Sequence, residues 1–147
     1  MAEGILKALA QEAGFDHWQI ESGGLSAFSG AQPSEGSVIA ARDDGIDIAD
    51  HRASVFDHLK ALTCDLILVH SGEHYYQALS WDDSLESVTF LIKHFPQSGD
   101  PGPEAWVADP IGQNLDAYRA TFRELEGHLR GIVPEIEIWA GKGRQRA

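Results

Sequence analysis

The sequence predicts an α/β protein whose strands form a mostly parallel sheet. Segments with the apolar spacing of helices alternate along the chain with short segments typical of strands. The run Leu66–Val69 is wholly apolar and bounded by polar residues, as expected of a strand buried on both faces of a parallel sheet. At 147 residues the chain has the length of one domain. We divide it into a domain at residues 1–131 and a C-terminal tail at residues 132–147.

An amphipathic helix opens the chain. Its apolar side chains fall on one helical face, and they are Ile5, Leu6, Leu9, Ala10 and Ala13. Gly14 is suited to the position after this helix, where the left-handed backbone conformation is common. Residues 17–21 alternate apolar and polar side chains and therefore predict a strand. The Ser22-Gly23-Gly24 segment ends that strand.

Two further helices are predicted before the apolar strand. Pro33 lies near the start of the first, where its fixed φ is tolerated, and residues 43–45, Asp-Asp-Gly, end it. Residues 46–52 form a connector. Residues 54–61 predict a second, short helix.

The second half of the chain continues the alternation. Residues 73–79 predict a helix, residues 88–92 a strand, and residues 97–104, with two prolines and two glycines, a loop. The apolar positions of a long final helix share one face, and they are Leu115, Tyr118, Phe122, Leu125 and Leu129. The chain from Ile132 onwards is expected to fray. Its last basic residues are Lys142, Arg144 and Arg146.

The charge and the cysteine content exclude several classes of protein. A formal net charge of −12 disfavours binding to nucleic acid or to anionic membranes, because both are themselves negatively charged. No apolar run approaches the length of a membrane span, and the N-terminus lacks the pattern of a signal peptide. The single cysteine, Cys64, excludes an internal disulfide and suits a reducing compartment. We therefore expect a cytoplasmic protein without nucleic-acid or membrane partners.

One motif suggests a metal. The segment His70-Ser71-Gly72-Glu73-His74 fits the H-x-x-E-H pattern of some zinc hydrolases. Zinc would need both histidines on one helical face and a third ligand. His70 is instead predicted to end a strand, and Ser71-Gly72 is poor helix interior. Two histidines placed by chance at a strand–helix junction are the favoured explanation, and we expect neither metal nor cofactor.

Ligands of parallel α/β sheets bind beyond the carboxyl ends of the strands. Those ends are predicted at Ser22-Gly23, at His70-Ser71 and in the loop after Ile92. The most specific chemical feature is Asp109-Pro110, because proline fixes its own φ and biases the preceding residue toward extended geometry. A carboxyl group held in this way can lie beside the leaving group of a reaction. An Asp-Pro turn without chemistry is the alternative.

Six segments of the chain resemble the low-molecular-weight protein tyrosine phosphatase family. They are Met1-Ala2-Glu3-Gly4 with its helix, Ile20-Glu21-Ser22-Gly23-Gly24, Gly45-Ile46-Asp47 with His51-Arg52-Ala53, the strand from Asp65 to Val69, Val107-Ala108-Asp109-Pro110, and the closing helix from Tyr118 to Leu129. Their order and spacing match the family over nearly the whole chain. The resemblance implies a three-layer α/β/α fold with a parallel sheet, the phosphotyrosine phosphatase I-like fold. It also implies the family reaction, hydrolysis of phosphotyrosine monoesters through a cysteinyl-phosphate.

The resemblance assigns a catalytic role to Asp109, which would protonate the tyrosyl oxygen as general acid. The nucleophile has no counterpart in the chain. The family carries it in a C-x5-R-[ST] loop, which this resemblance would put ahead of Met1. Five residues separate Cys64 from His70, which stands where the family pattern has arginine. Cys64 is therefore expected to be a small structural hydrophobe. We expect a chain truncated before the phosphate-binding loop, inactive as it stands, whose family substrates are phosphotyrosine proteins or small phosphomonoesters.

The resemblance also implies that the first, central strand of the sheet is missing. Its loss would remove about five apolar residues, on the order of 10 kcal/mol of burial, from a domain whose net stability is about 5–15 kcal/mol. We therefore expect re-paired strands, a homodimer through exposed strand edges, or partial unfolding. Two other functions remain open: a non-catalytic relative that binds a partner, and an arsenate reductase-like protein, which would need additional cysteines.

Overall fold

The computed structural model describes residues 1–144. In chain order, the elements of this part are α1 (Ala2–Glu12), α2 (Glu35–Asp43), α3 (His58–Ala61), β1 (Ile67–Val69), α4 (Gly72–Trp81), a 3-10 turn (Asp83–Ser87), β2 (Thr89–Leu91), a second 3-10 turn (Pro103–Ala105) and α5 (Leu115–Arg144). The chain packs as two compact units. Unit 1 comprises residues 1–56 and 109–130, and unit 2 comprises residues 57–108 and the chain from Gly131.

Unit 1 contains α1, α2 and the first half of α5. The predicted apolar face of α1 is buried, with Ile5 and Leu9 in the core. Gly14 follows this helix with a φ of +76°, which confirms its predicted place after the helix end. The helices α2 and α5 approach closely, because a Cβ atom at Gly36 would lie 2.5 Å from the ring of Tyr118. Glycine is therefore the residue that this contact requires.

The strand predicted at residues 17–21 is wrong. These residues form no ladder, and the chain instead turns so that the Trp18 N–H donates to the Phe15 carbonyl at 3.2 Å. The two rings stack with centroids 5.1 Å apart. An alternating pattern supplies two faces, but a strand also needs a neighbour to complete its hydrogen bonds. Within the described part of unit 1, strand pairing is limited to a single bridge between Gly24 and Val55.

That bridge also explains why the short helix predicted at residues 54–61 begins only at His58. The Gly24 N–H donates to the Ser54 carbonyl at 2.9 Å, and the Phe56 N–H donates to the Gly24 carbonyl at 3.0 Å. Residues 54–56 are therefore occupied by pairing. Asp57 then caps α3, since its carboxylate accepts from the Lys60 N–H at 3.0 Å.

Unit 2 contains the parallel sheet, which confirms the predicted α/β class. The strands β1 and β2 pair in parallel, with Ile67 opposite Thr89, Leu68 opposite Phe90 and Val69 opposite Leu91. The helix α4 connects them, as parallel neighbours require. The strands predicted at residues 66–69 and 88–92 and the helix predicted at residues 73–79 are thus confirmed. The predicted loop at residues 97–104 is confirmed up to the 3-10 turn that begins at Pro103.

The final helix is longer than the sequence suggested. It continues to Arg144, so the fraying expected from Ile132 is wrong for residues 132–144. Three apolar side chains of this part are buried in unit 2, and they are Ile132, Val133 and Ile136. Residues 145–147 of the expected tail, Arg146 among them, lie outside the described residues.

An aromatic cluster holds the second half of α5 in unit 2. The ring of Trp139 packs edge-on against Phe90 and Phe95, with centroids 5.8 and 6.3 Å away. This packing stabilises the helix beyond Pro134, which lacks the N–H of a helical hydrogen bond. Although α5 has 30 residues, neither it nor any other helix within residues 1–144 is long and apolar enough to cross a bilayer.

Candidate active site

Asp109 begins a tight turn that leads into α5. Its Oδ1 accepts a hydrogen bond from the Ile111 N–H at 3.0 Å, and its carbonyl oxygen accepts one from Gln113 Nε2 at 3.0 Å. Pro110 is buried, whereas Asp109 is exposed. The turn therefore fixes the direction of the carboxyl group and leaves it open to solvent. An oriented carboxyl group that a substrate can reach is the geometry that general acid catalysis needs.

A second polar cluster in unit 1 converges on the carboxylate of Glu3 in α1. Ser22 Oγ donates to Oε2 at 2.6 Å, and Lys7 Nζ donates to Oε1 at 2.6 Å. His51 Nδ1 lies 3.6 Å from Oε2. The side chain of Glu3 is only 16% exposed. The cluster thus joins three of the segments that carry the family resemblance: the opening helix, the Ser22 turn and the His51 segment.

The hydrogen bonds of this cluster favour the ionised form of Glu3. Burial raises the pKa of its carboxyl group, but the hydrogen bonds from Lys7 and Ser22, together with the charges of Lys7 and His51, outweigh burial. The pKa of Glu3 therefore lies below its ordinary value. The carboxylate is ionised at neutral pH and can hold all three partners at once.

A cavity of about 200 Å³ opens beside the Glu3 cluster. It is lined by the first turns of α1 and by Ser22, Asp47, Ile48 and His51. Ser22 belongs to one of the segments at which the sequence predicted a ligand. The lining places the basic residues Lys7 and His51 alongside the acidic residues Glu3 and Asp47. The charge of the cavity lining therefore does not by itself favour an anionic ligand.

A second of the three predicted ligand positions, His70-Ser71, lies in unit 2, where the chain itself bonds to it. The His70 carbonyl accepts from the Val107 N–H at 2.8 Å. Ser71 caps α4, with its Oγ accepting from the His74 N–H at 3.4 Å. The rings of His70 and His74 are 6.3 Å apart and tilted by 55°. Within the described residues, no three His, Cys, Asp or Glu side chains converge as metal ligands. The H-x-x-E-H segment spans the junction between β1 and α4.

Cys64 lies in the turn after α3 and is half-buried. Its Sγ donates to the Lys60 carbonyl at 3.3 Å. A reactive thiolate is stabilised by backbone N–H groups or by a helix N-terminus, whereas the carboxyl end of a helix disfavours negative charge. The structural role of Cys64 stays a prediction.

Sequence reasoning found the Ser22 and His51 segments but missed the residue that joins them. Glu3 lies next to the buried face of an amphipathic helix, and Lys7 follows it at the i,i+4 spacing of a helical ion pair. An acidic residue in that position was the signal that could have identified it. The aspartate of the Asp109 turn, by contrast, was singled out from the sequence.

A family model described as low molecular weight phosphotyrosine protein phosphatase matches residues 1–139. The chain belongs to this family. A low-molecular-weight protein tyrosine phosphatase from T. tengcongensis has a crystal structure that is 31% identical, with a TM-score of 0.78 over 91% of this chain and 88% of that one. The resemblance inferred from the six segments is thereby confirmed, and the α/β fold with its parallel sheet is that of the low-molecular-weight phosphatases.

Two curated relatives indicate the chemistry of the low-molecular-weight phosphatase family. A protein-arginine-phosphatase of Bacillus subtilis is 25% identical over 93% of this chain and 87% of its own length. A probable low molecular weight protein-tyrosine-phosphatase of Ralstonia nicotianae, EpsP, is 29% identical over 80% of this chain and 76% of its own length. The family acts on phosphoproteins or phosphomonoesters.

Proposed function

We propose that this phosphatase-family protein takes part in the dephosphorylation of phosphotyrosine proteins or small phosphomonoesters, with Asp109 as the general acid. In the family reaction a thiolate attacks phosphorus, a sulfur–phosphorus bond forms, and the bond from phosphorus to the tyrosyl oxygen breaks. The proton of the Asp109 carboxyl group would pass to that oxygen. Water then hydrolyses the cysteinyl-phosphate. The observation that supports this role is the turn that orients the Asp109 carboxyl group toward solvent.

We further propose that the 147 residues do not turn over substrate by themselves. Attack on a phosphomonoester needs a thiolate in a nest of N–H groups and a guanidinium that binds the equatorial oxygens. The sequence contains one cysteine and no C-x5-R segment. The environment of Cys64, at the carboxyl end of α3, supports the same proposal.

Two forms of the protein test these proposals. The first is the 147-residue chain, and the second is a chimera in which a strand and a C-x5-R-[ST]-P loop of the family pattern are placed before Met1. We expect vanadate-sensitive hydrolysis of p-nitrophenyl phosphate by the chimera and none by the chain alone. Hydrolysis by the chain alone would contradict the proposal, and its loss in Cys64→Ser would identify Cys64 as the nucleophile.

The general acid is tested in the chimera by Asp109→Asn. We expect the rate to fall roughly 10²–10⁴-fold. The loss should be larger for phenyl phosphate than for p-nitrophenyl phosphate, because the poorer leaving group depends more on protonation. Asp116→Asn, an exposed change of the same kind in α5, is the control. Equal rates for Asp109→Asn and the control would remove Asp109 from the mechanism.

A phosphoarginine protein is the second candidate substrate. The relative from Bacillus subtilis is a protein-arginine-phosphatase, and the residue after Asp109-Pro110 is the aliphatic Ile111, 66% exposed. Matched phosphotyrosine and phosphoarginine peptides offered to the chimera separate the two classes by their kcat/KM. We expect the phosphotyrosine peptide to be preferred, because the matching family model and the T. tengcongensis relative are both described as tyrosine phosphatases.

We also propose a homodimer in the cytoplasm, which the single cysteine suits. In a parallel ladder alternate residues bond to one neighbour. Because Ile67 and Val69 bond to β2, the N–H and C=O of Leu68 point to the opposite edge of β1. That edge can accept a second chain. Sedimentation velocity should show a dimer whose fraction rises with concentration, and a monomer at every concentration would contradict this.

A further inference from the structure

The residues that follow Asp109 close its turn with hydrogen bonds. The Ile111 N–H donates to Asp109 Oδ1 at 3.0 Å. The Gln113 N–H donates to the Pro110 carbonyl at 2.9 Å, and Gln113 Nε2 donates to the Asp109 carbonyl at 3.0 Å. Gln113 therefore contributes to the turn twice, once through its backbone and once through its side chain.

The backbone of Gln113 is itself anchored in unit 1. The next residue, Asn114, caps α5, because its Oδ1 accepts a hydrogen bond from the Ala117 N–H at 3.0 Å. The start of α5 also places Tyr118 in the core of unit 1, where its side chain is buried. The side chain of Gln113 therefore reaches Asp109 from a backbone whose position is set by the capped start of a buried helix.

The two bonds to Asp109 hold different ends of that residue. The Ile111 N–H holds Oδ1 of the carboxyl group, whereas Gln113 Nε2 holds the backbone carbonyl. A proton on Oδ1 would face the N–H that donates to this oxygen, so the acid form of Asp109 carries its proton on Oδ2. The direction in which Oδ2 presents that proton depends on both bonds, since one bond alone leaves a point about which the carboxyl group can pivot.

We propose that Gln113 is a positioning residue for Asp109 and acts by fixing the Asp109 carbonyl. This inference rests on the proposed role of Asp109 as general acid. Without the Gln113 side chain, the backbone N–H bonds of Ile111 and Gln113 keep the turn closed, but the Asp109 carbonyl loses its partner. Proton transfer needs heavy atoms about 2.6–3.2 Å apart, so a carboxyl group that pivots spends less time within reach of the leaving group. One neutral hydrogen bond corresponds to about a two- to tenfold change in such a population.

Amide hydrogen exchange of the 147-residue chain tests the positioning without any need for turnover. Gln113→Met keeps the length of the side chain but removes Nε2. We expect exchange of the Ile111 amide to accelerate by about two- to tenfold, because its bond to Oδ1 opens more often. The amides of Ala117 and Phe122 in α5 should keep their rates within about twofold, since the Asn114 cap is untouched.

Gln11→Met is the matched control, at an exposed position of α1 in the same unit, and should leave the exchange of Ile111 unchanged. Equal acceleration at Ile111 and Phe122 in Gln113→Met would show that Gln113 acts on the stability of the whole unit and would overturn the inference. Unchanged exchange at Ile111 would overturn it as well.

A double-mutant cycle in the chimera tests whether the effect on the rate passes through Asp109. Gln113→Met should lower kcat for phenyl phosphate by about two- to tenfold, with a smaller loss for p-nitrophenyl phosphate and little change in KM. In an Asp109→Asn background, the same substitution should cause no further loss, because the group that it positions is already absent. A further loss of the same size in that background would contradict action through Asp109.

The same cycle separates a failure of this inference from a failure of the proposed function. If Asp109→Asn leaves the rate of the chimera unchanged, the role of Asp109 as general acid fails and the inference fails with it. If Asp109→Asn lowers the rate and Gln113→Met does not, only the inference fails.

Discussion

Ser22 donates a hydrogen bond of 2.6 Å to Oε2 of Glu3 and so ties the turn after residues 17–21 to the first turn of α1. The same oxygen faces His51, and the other oxygen holds Lys7. Three segments far apart in sequence therefore depend on one carboxylate. The strand predicted at residues 17–21 does not form. This contact therefore helps to hold that segment in unit 1.

Replacing Glu3 by glutamine tests this dependence. Glu3→Gln keeps the shape of the side chain but removes the negative charge, and we expect it to lower the free energy of unfolding by about 1–3 kcal/mol. Urea denaturation measures the change. Glu21→Gln, an exposed position in the adjoining segment, is the matched control and should stay within about 0.5 kcal/mol. Equal effects of the two substitutions would mean that the cluster adds nothing to stability.

The lowered pKa of Glu3 predicts a pH dependence of stability. A carboxyl group whose pKa is depressed on folding stabilises the protein above the pKa of the unfolded chain, about 4.3 for glutamate. That contribution is lost as the pH falls through the folded pKa. The difference in unfolding free energy between the natural chain and Glu3→Gln should therefore be constant near neutral pH and shrink below about pH 4. A difference that grows on acidification would mean that folding raises the pKa of Glu3 and would contradict this prediction.

Two glycines in helices should respond oppositely to alanine. In Gly127→Ala the new Cβ meets nothing within 4 Å, so the helix propensity of alanine should raise stability by about 0.5–1 kcal/mol. In Gly36→Ala the Cβ would lie 2.5 Å from the buried Tyr118 ring, and overpacking should lower stability by about 1–3 kcal/mol. Thermal unfolding followed by circular dichroism compares the two. Stabilisation by both substitutions would show that α2 and α5 do not approach closely.

The aromatic cluster on β2 predicts that the second half of α5 is part of the fold. Trp139→Ala removes the ring that packs on Phe90 and Phe95 and should lower the unfolding free energy by about 2 kcal/mol or more. Ile138→Ala, at a neighbouring side chain that is 60% exposed, should change it by less than about 0.5 kcal/mol. Chemical denaturation measures both. If both substitutions had equally negligible effects on stability, the second half of α5 would be frayed, as the sequence alone suggests.

How much of this structure the sequence could predict depends on whether the signal was local. Strand β1 and the Asp109-Pro110 turn could be predicted because a few consecutive residues specify each. An apolar run indicates a strand buried on both faces, and proline fixes φ in the turn. The failures needed partners that no local pattern reveals. Residues 17–21 alternate correctly but find no ladder, and α3 starts late because residues 54–56 pair with Gly24.

The site shows the same division. Asp109 was identified because the Asp-Pro dipeptide alone suggests an oriented carboxyl group and because the flanking residues resemble the phosphatase family. The role of Glu3 was missed because it arises only when Ser22 and His51, 19 and 48 positions away in the chain, reach the same carboxylate.

The two compact units have a genetic consequence. Unit 1 takes residues 1–56 and 109–130, and unit 2 takes residues 57–108 and the chain from Gly131, so each is assembled from two separate stretches of the gene. Neither unit can be copied, exchanged or expressed as one continuous coding segment. A crossover with a relative at codon 56, 108 or 130 would leave at least one unit built from segments of both parents. Homologous exchange between relatives should therefore favour breakpoints that keep both segments of each unit from one parent.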